Sequence, residues 1–118
     1  MATKSGSSYT PERGDVVWLS FDPQAGHEQG GRRPAVVLSP AFYNRSSSVV
    51  IVVPVTSAVK GYTFEVLIPP GLPVSGAILT DQLKSLDWRA RRAERICALP
   101  PAVVREALAK AASLLAMG

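Results

Sequence analysis

Apolar residues fall along the chain in short blocks separated by turn signals, and most blocks have the composition of β-strands. DVVWLSF, residues 15–21, is β-branched and aromatic and stops at Asp22-Pro23, a turn signal. PAVVLS, residues 34–39, emerges from a glycine-rich segment. SVVIVVPVT, residues 48–56, is almost continuously apolar, which predicts a central strand buried on both faces. YTFEVLI, residues 62–68, alternates more clearly, and the Lys60-Gly61 pair before it predicts a hairpin. GAILTDQLKSL begins at Gly76 and turns polar at Thr80. Short strands at this spacing predict a small barrel, a mainly β fold.

The end of the chain changes period. Pro101 suits the first position of a helix, where its missing N–H costs nothing. After it Val104, Leu108, Ala111 and Leu115 recur at helical spacing and give one apolar stripe to lay across the barrel. Arg105, Glu106 and Lys110 lie off that stripe and are expected to be solvated, so the helix reads as structural. With no repeat or linker in view, residues 12–118 are expected to form a single domain. Residues 1–11 are polar, without an apolar core, and read as a flexible tail and not as a signal peptide.

Composition narrows the class. Hydrophobic residues make up 47% and charged residues 19% of the 118, too apolar a balance for disorder. No apolar run approaches the roughly 18 residues of a membrane span. A single cysteine, Cys97, excludes an intrachain disulfide and leaves too few soft ligands for structural zinc. A reducing cytoplasm fits that usage. The net charge is +4, and it is unevenly placed. WRARRAER, residues 88–95, holds four arginines against one glutamate, and Arg32 and Arg33 form a second focus. Such a balance suits polyanions, an acidic protein partner or simply a solvated basic face.

The candidate chemistry gathers in AGHEQGGRRPAVVLS, residues 25–39, which holds the only histidine, a glutamate and two adjacent arginines on a glycine-rich hinge. The glycines suggest a phosphate cradle, but no Gly-Lys-Ser/Thr follows, which argues against a nucleotide P-loop. One histidine and scattered carboxylates argue against a transition-metal site, and no cofactor is expected. A metal-free set remains: Glu28 or His27 as proton acceptor, Arg33 as fixed cation, and hydroxyls at Thr56 and Ser57. RNA carries its own nucleophile, the 2′-hydroxyl. Cleaving it needs a base for that proton, donors for the charge on the phosphoryl oxygens, and a proton for the leaving 5′-oxygen. Arginine suits the second task, because its planar fork matches two phosphate oxygens. Purely structural readings stand beside this one: Glu28 pairing with Arg32 or Arg33, and His27 merely exposed.

Four blocks, RGDVVWLSFDP, AGHEQGGRRPAVVLSP, VPVTSAVKGYTFEV and ILTDQLKSLDWRARR, together resemble the MazF/PemK (Kid) family of toxin–antitoxin ribonucleases. The likeness runs from about Glu12 to the C-terminal helix. It implies a CcdB/Kid/MazF-type SH3-like barrel with a C-terminal helix, acting as a homodimer. It also implies metal-free, sequence-specific cleavage of single-stranded RNA that leaves a 2′,3′-cyclic phosphate and a 5′-hydroxyl. The implied partner is an antitoxin with an acidic, flexible C-terminal segment. By position, the family's catalytic arginine, threonine and loop acid match Arg33, Thr56 and Glu28. A Kid-like branch places a histidine at His27 and an aspartate at Asp81, but its arginine two residues earlier is Leu79 here. That departure favours the MazF-like arrangement, with His27 nearby. An imidazole starts near pKa 6.5 and a glutamate near 4.3, so chemistry leans to His27 as base while the branch analogy puts Glu28 first. Lys60, Lys84, Arg89 and Arg91, with Tyr62 and Trp88 among them, are expected to flank the site as an RNA track carried by the cations, Trp88 being equally well a core residue or a stacking platform. Arg32, Ser57, Asp81 and Gln82 complete the expected RNA contacts. A CcdB-like gyrase poison is a second reading, against which stands the tryptophan-free end SLLAMG. A non-enzymatic SH3-like module for RNA or peptide is a third.

Overall fold

The computed structural model describes residues 9–23 and 25–116. The continuously apolar run becomes the middle strand, β3 (Val49–Thr56), around which the others are laid. On one edge it pairs with β2 (Arg32–Val37), which pairs with β1 (Asp15–Ser20), which pairs with β7 (Glu94–Ala98), all antiparallel. Its other edge is shared. Val49 to Val52 pair with β6 (Lys84–Asp87), while Val55 and Thr56 pair with β5 (Ala77–Leu79), and β4 (Glu65–Leu67) adds to β5.

Strand alternation divides the side chains of β1–β3 between two cores. Val16, Val36, Val53 and Val55 face α2 (Pro101–Ala116), and Val17, Leu19, Ala35, Val37, Val50 and Val52 enclose a second cluster with Phe21 and Trp88. The expected burial of β3 on both faces is therefore found. The barrel is open on one side: among the described residues no ladder joins β6 to β7. The connection 88–93 curls into a turn there, with Ala93 N donating to Trp88 O and Arg91 N to Asp87 O. The Trp88 indole fills the interior and donates to Asn44 O at 2.8 Å, so Trp88 is core and not a stacking platform.

Other expectations need correction. The run at 62–68 yields only three strand residues, and they pair with β5, because β5 takes the place on β3 that a direct hairpin would have used. Two elements lie outside the sequence reading: β7 and α1 (Ala41–Ser47). The latter has no apolar period and is secured by buried Asn44, whose amide donates to Pro11 O and Ser39 O. In α2 the buried residues are Ala107 and Ala111, small enough for close approach, while Leu115 at the end of the stripe is 78% exposed. Lys110 is not solvated as expected but donates to the carbonyls of Thr63 and Glu65. The expected tail also ends earlier, since Tyr9 OH donates to Asp15 at 2.6 Å and Pro11 is buried. Residues 1–8 of that tail lie outside the described residues. Among the described residues no helix is long and apolar enough to cross a membrane.

Candidate active site

Register brings the first two site residues together. Ala35 pairs with Pro54 and Val36 with Val53, and continuing that antiparallel ladder sets Arg33 opposite Thr56. Arg33 also pairs with Leu19, a residue of the interior cluster, so this face is the mouth of the barrel. One residue earlier, Arg32 points to the other face. The Arg33 guanidinium is aimed by two of its own N–H groups: Nε donates to Gly30 O at 2.9 Å and Nη1 to Val55 O at 3.3 Å. A guanidinium carries five N–H groups, so the remainder are oriented donors for an anion.

Thr56 is 8% exposed, and its Oγ1 accepts from Ala58 N at 3.1 Å, which fixes the hydroxyl and leaves its proton to donate. Gly76 keeps that geometry. A Cβ on Gly76 would stand 2.1 Å from Thr56 O, and its φ of +115° lies where side chains are strained. Only glycine lets β5 reach the end of β3 so closely. The one signal for it in the sequence is its place immediately before AIL.

Glu28 reaches the mouth from the β1–β2 loop. Within the described part of that loop, Phe21 N donates to Gly31 O at 2.8 Å and Gly31 N to Asp22 Oδ1 at 2.7 Å. Gln29 N donates to Gln82 Oε1 at 3.0 Å, and the Glu28 carboxylate pairs with Lys84 Nζ at 2.5 Å. The partner is thus Lys84 of β6, and neither Arg32 nor Arg33. Its hydrogen bond and charge, helped by Ala25, hold the Glu28 carboxyl below the ordinary glutamate range against a smaller opposing effect of desolvation. His27 is exposed and makes no hydrogen bond or ion pair among the described residues.

The other expected RNA contacts separate into groups. Gln82 and Lys84 line the site, with exposed Asp81 beside them. Ser57, Lys60 and Tyr62 are exposed on the connection that leaves β3 after Thr56. Arg32 and Arg91 are used internally. Arg32 donates to Arg91 O, Arg92 O and Glu94, and Arg91 to Ser20 O and Asp22 O, tying the β1–β2 loop to the 88–93 turn. Arg89 lies over the Trp88 ring at 4.5 Å and donates to Ser48 Oγ at 2.6 Å. Ser48 precedes Thr56 by the whole of β3, about 25 Å of strand, so within one chain Arg89 does not flank the site as expected. Glu65 was not singled out by sequence reading, although Gly61 four residues before a strand acid marks a loop turning back on that acid. Among the described residues no three His, Cys, Asp or Glu stand close enough to hold a metal ion.

The chain resembles known proteins in both sequence and fold. A sequence model of the PemK-like, MazF-like toxins of type II toxin–antitoxin systems matches residues 12–115. Endoribonuclease toxin MazF of Escherichia coli K12 is 49% identical over 89 residues, covering 75% of this chain and 79% of that protein. The crystal structure of MazF from Deinococcus radiodurans superposes with a TM-score of 0.90 at 55% identity, covering 93% of this chain and all of that one. A MazE–MazF crystal structure from the same organism matches with a TM-score of 0.82 at 48% identity, over 94% of this chain and all of that one. With nearly the whole domain matched in sequence and fold, the chain belongs to the PemK-like, MazF-like toxin family of type II toxin–antitoxin systems.

Proposed function

We propose that this protein is the toxin of a type II toxin–antitoxin pair and a metal-independent, sequence-specific endoribonuclease acting on single-stranded RNA. The observation that carries the reading is Arg33 opposite Thr56 at the barrel mouth, with the Glu28–Lys84 pair beside them. The free N–H groups of Arg33 and the Thr56 hydroxyl hold the phosphoryl oxygens as charge builds there. The 2′-oxygen attacks phosphorus and gives its proton to Glu28, or to His27 on the same loop. The bond to the 5′-oxygen breaks, and that oxygen takes a proton from the site, where Lys84 and a protonated His27 have one to give. The products are a 2′,3′-cyclic phosphate and a 5′-hydroxyl. While paired with Lys84, Glu28 is a poor base. An RNA phosphate that draws Lys84 away restores its basicity.

An acidic antitoxin segment fits the same groove, because cations placed for phosphate also attract carboxylates. The MazE–MazF match supports such a partner. The working unit is a homodimer. An apolar hollow of about 450 Å³ between α1, α2 and β3 is lined by Phe42, Tyr43, Ile51, Leu83 and Leu115, and a second copy would cover it. Leu83 lies between Gln82 and Lys84, so this face adjoins the site. A cytoplasmic location suits a protein whose target is RNA. The gyrase-poison and non-enzymatic readings lose ground to endoribonuclease relatives at 49% and 35% identity.

The test is end-group analysis of a labelled RNA incubated with the protein in EDTA. Cleavage to 2′,3′-cyclic phosphate ends is the expected result. Intact RNA, or cleavage only with added divalent metal, would refute the reading.

A further inference from the structure

The connection between β3 and β4, residues 57–64, leaves the site directly after Thr56, so its path decides where exposed Lys60 and Tyr62 stand relative to a phosphate held there. Its shape is fixed largely by groups outside it. Glu65, the first residue of β4, is 9% exposed and turns its carboxylate back into the loop. There Lys60 N donates to both oxygens, at 3.2 and 3.3 Å, and Gly61 N donates to Oε1 at 2.9 Å. Gly61 has a φ of +77°, and successive N–H groups converging around a left-handed residue form an anion-binding concavity. The protein fills that concavity with its own carboxylate. Glu65 N also donates to Tyr62 O at 3.0 Å, closing the turn. From the helix side, Lys110 Nζ donates to Thr63 O at 2.8 Å and to Glu65 O at 3.1 Å.

A buried carboxylate costs free energy unless its oxygens are satisfied, and a three-residue strand has no need of one for its own pairing. What it does here is hold a loop. We propose that Glu65 and Lys110 are positioning residues for substrate binding. Neither meets RNA. Together they hold the 57–64 loop in one shape, so that Lys60 and Tyr62 are already placed for the strand leaving the Arg33–Thr56 phosphate site. A loop ordered beforehand binds without losing its own conformational entropy at that moment. The inference rests on the ribonuclease reading above.

Amide exchange and cleavage kinetics on the full chain test it together. In the free protein the Lys60 and Gly61 amides should be protected from exchange, and Glu65→Ala should abolish that protection. In cleavage, Glu65→Ala should raise KM by about tenfold, as loss of a charge-assisted clamp implies, and leave kcat at saturating RNA within about twofold. Glu65→Gln, which keeps an acceptor oxygen, should restore part of the KM. In a Lys60→Ala/Tyr62→Ala background, Glu65→Ala should have no further effect. Should Glu65→Ala fail to fold, Lys110→Met frees the same loop from the helix side, with the same KM effect expected. An unchanged KM in a folded variant that has lost amide protection would overturn the positioning role alone. A parent protein that cleaves no RNA would instead overturn the ribonuclease reading, with the exchange result unaffected.

Discussion

The β1–β2 loop at Glu28 and Gln29 and the loop of residues 57–64 both flank the Arg33–Thr56 pair, but those two residues are tied by side chains at the mouth itself, whereas the second loop is tied by side chains turned away from it. Glu28 and Gln29 are held by Lys84 and Gln82, groups in the path proposed for RNA. The second loop is held by Glu65 and Lys110, buried in β4 and reaching from α2. RNA in that path would compete with the ties at Glu28 and Gln29 and would leave those of the second loop intact. On the proposed reading, the segment carrying Glu28 and His27 would respond to substrate, while the loop with Lys60 and Tyr62 would offer it a fixed surface.

The largest expected effect lies where neither loop can compensate. Arg33→Ala should lower the cleavage rate by at least about a hundredfold, the usual cost of one lost transition-state donor. Circular dichroism and sedimentation should find the variant folded and dimeric, and full activity would remove the central residue. Gly76→Ala comes next. Its new methyl must displace the Thr56 carbonyl, so urea unfolding should register a loss of about 1–3 kcal/mol, with cleavage reduced even where the protein is fully folded.

Lys84→Met sharpens the contrast between the loops through pH. Lys84 holds the Glu28 carboxyl down, so a base at Glu28 stays ionised to lower pH in the parent than in the variant. The acidic limb of kcat/KM, which reports the free enzyme, should therefore move to higher pH in Lys84→Met. A limb that stays in place in the variant, yet disappears in His27→Gln, would make His27 the base. The smallest effect belongs to the rigid loop. Lys60→Ala should flatten the salt dependence of RNA affinity by about 0.7 log units per tenfold change in salt, one phosphate's share for a single strand. An unchanged slope would place the RNA track elsewhere.

What the chain disclosed in advance follows from the range of the interactions. β3 was legible because a run such as VVIVVPVT has only one comfortable place, the middle of a sheet. Arg33 and Thr56 stand out in the sequence only as candidates, and their opposition across the ladder follows once the adjacent strands β2 and β3 pair. The partner of Glu28 was not, since Lys84 lies 56 residues away and arrives only when β6 docks on β3. Arg32 and Arg91 illustrate the same limit. Charge alone marks them as RNA contacts, whereas the fold gives them carbonyls to hold. Lys110 looks solvated on a helical wheel because a wheel does not contain the carbonyls of another element. α1 owes its place to Asn44, a single polar residue with tertiary partners, and leaves no period to read.

The measurement closest to the central claim uses an RNA with one 2′-deoxy nucleotide at the scissile position and every other 2′-hydroxyl intact. If Arg33, Thr56 and the loop acid act on an internal 2′-oxygen attack, this substrate should bind like the parent RNA in fluorescence anisotropy and remain uncut in EDTA. Cleavage of the substituted RNA at the same position and rate would show that the nucleophile comes from elsewhere, and would contradict the account.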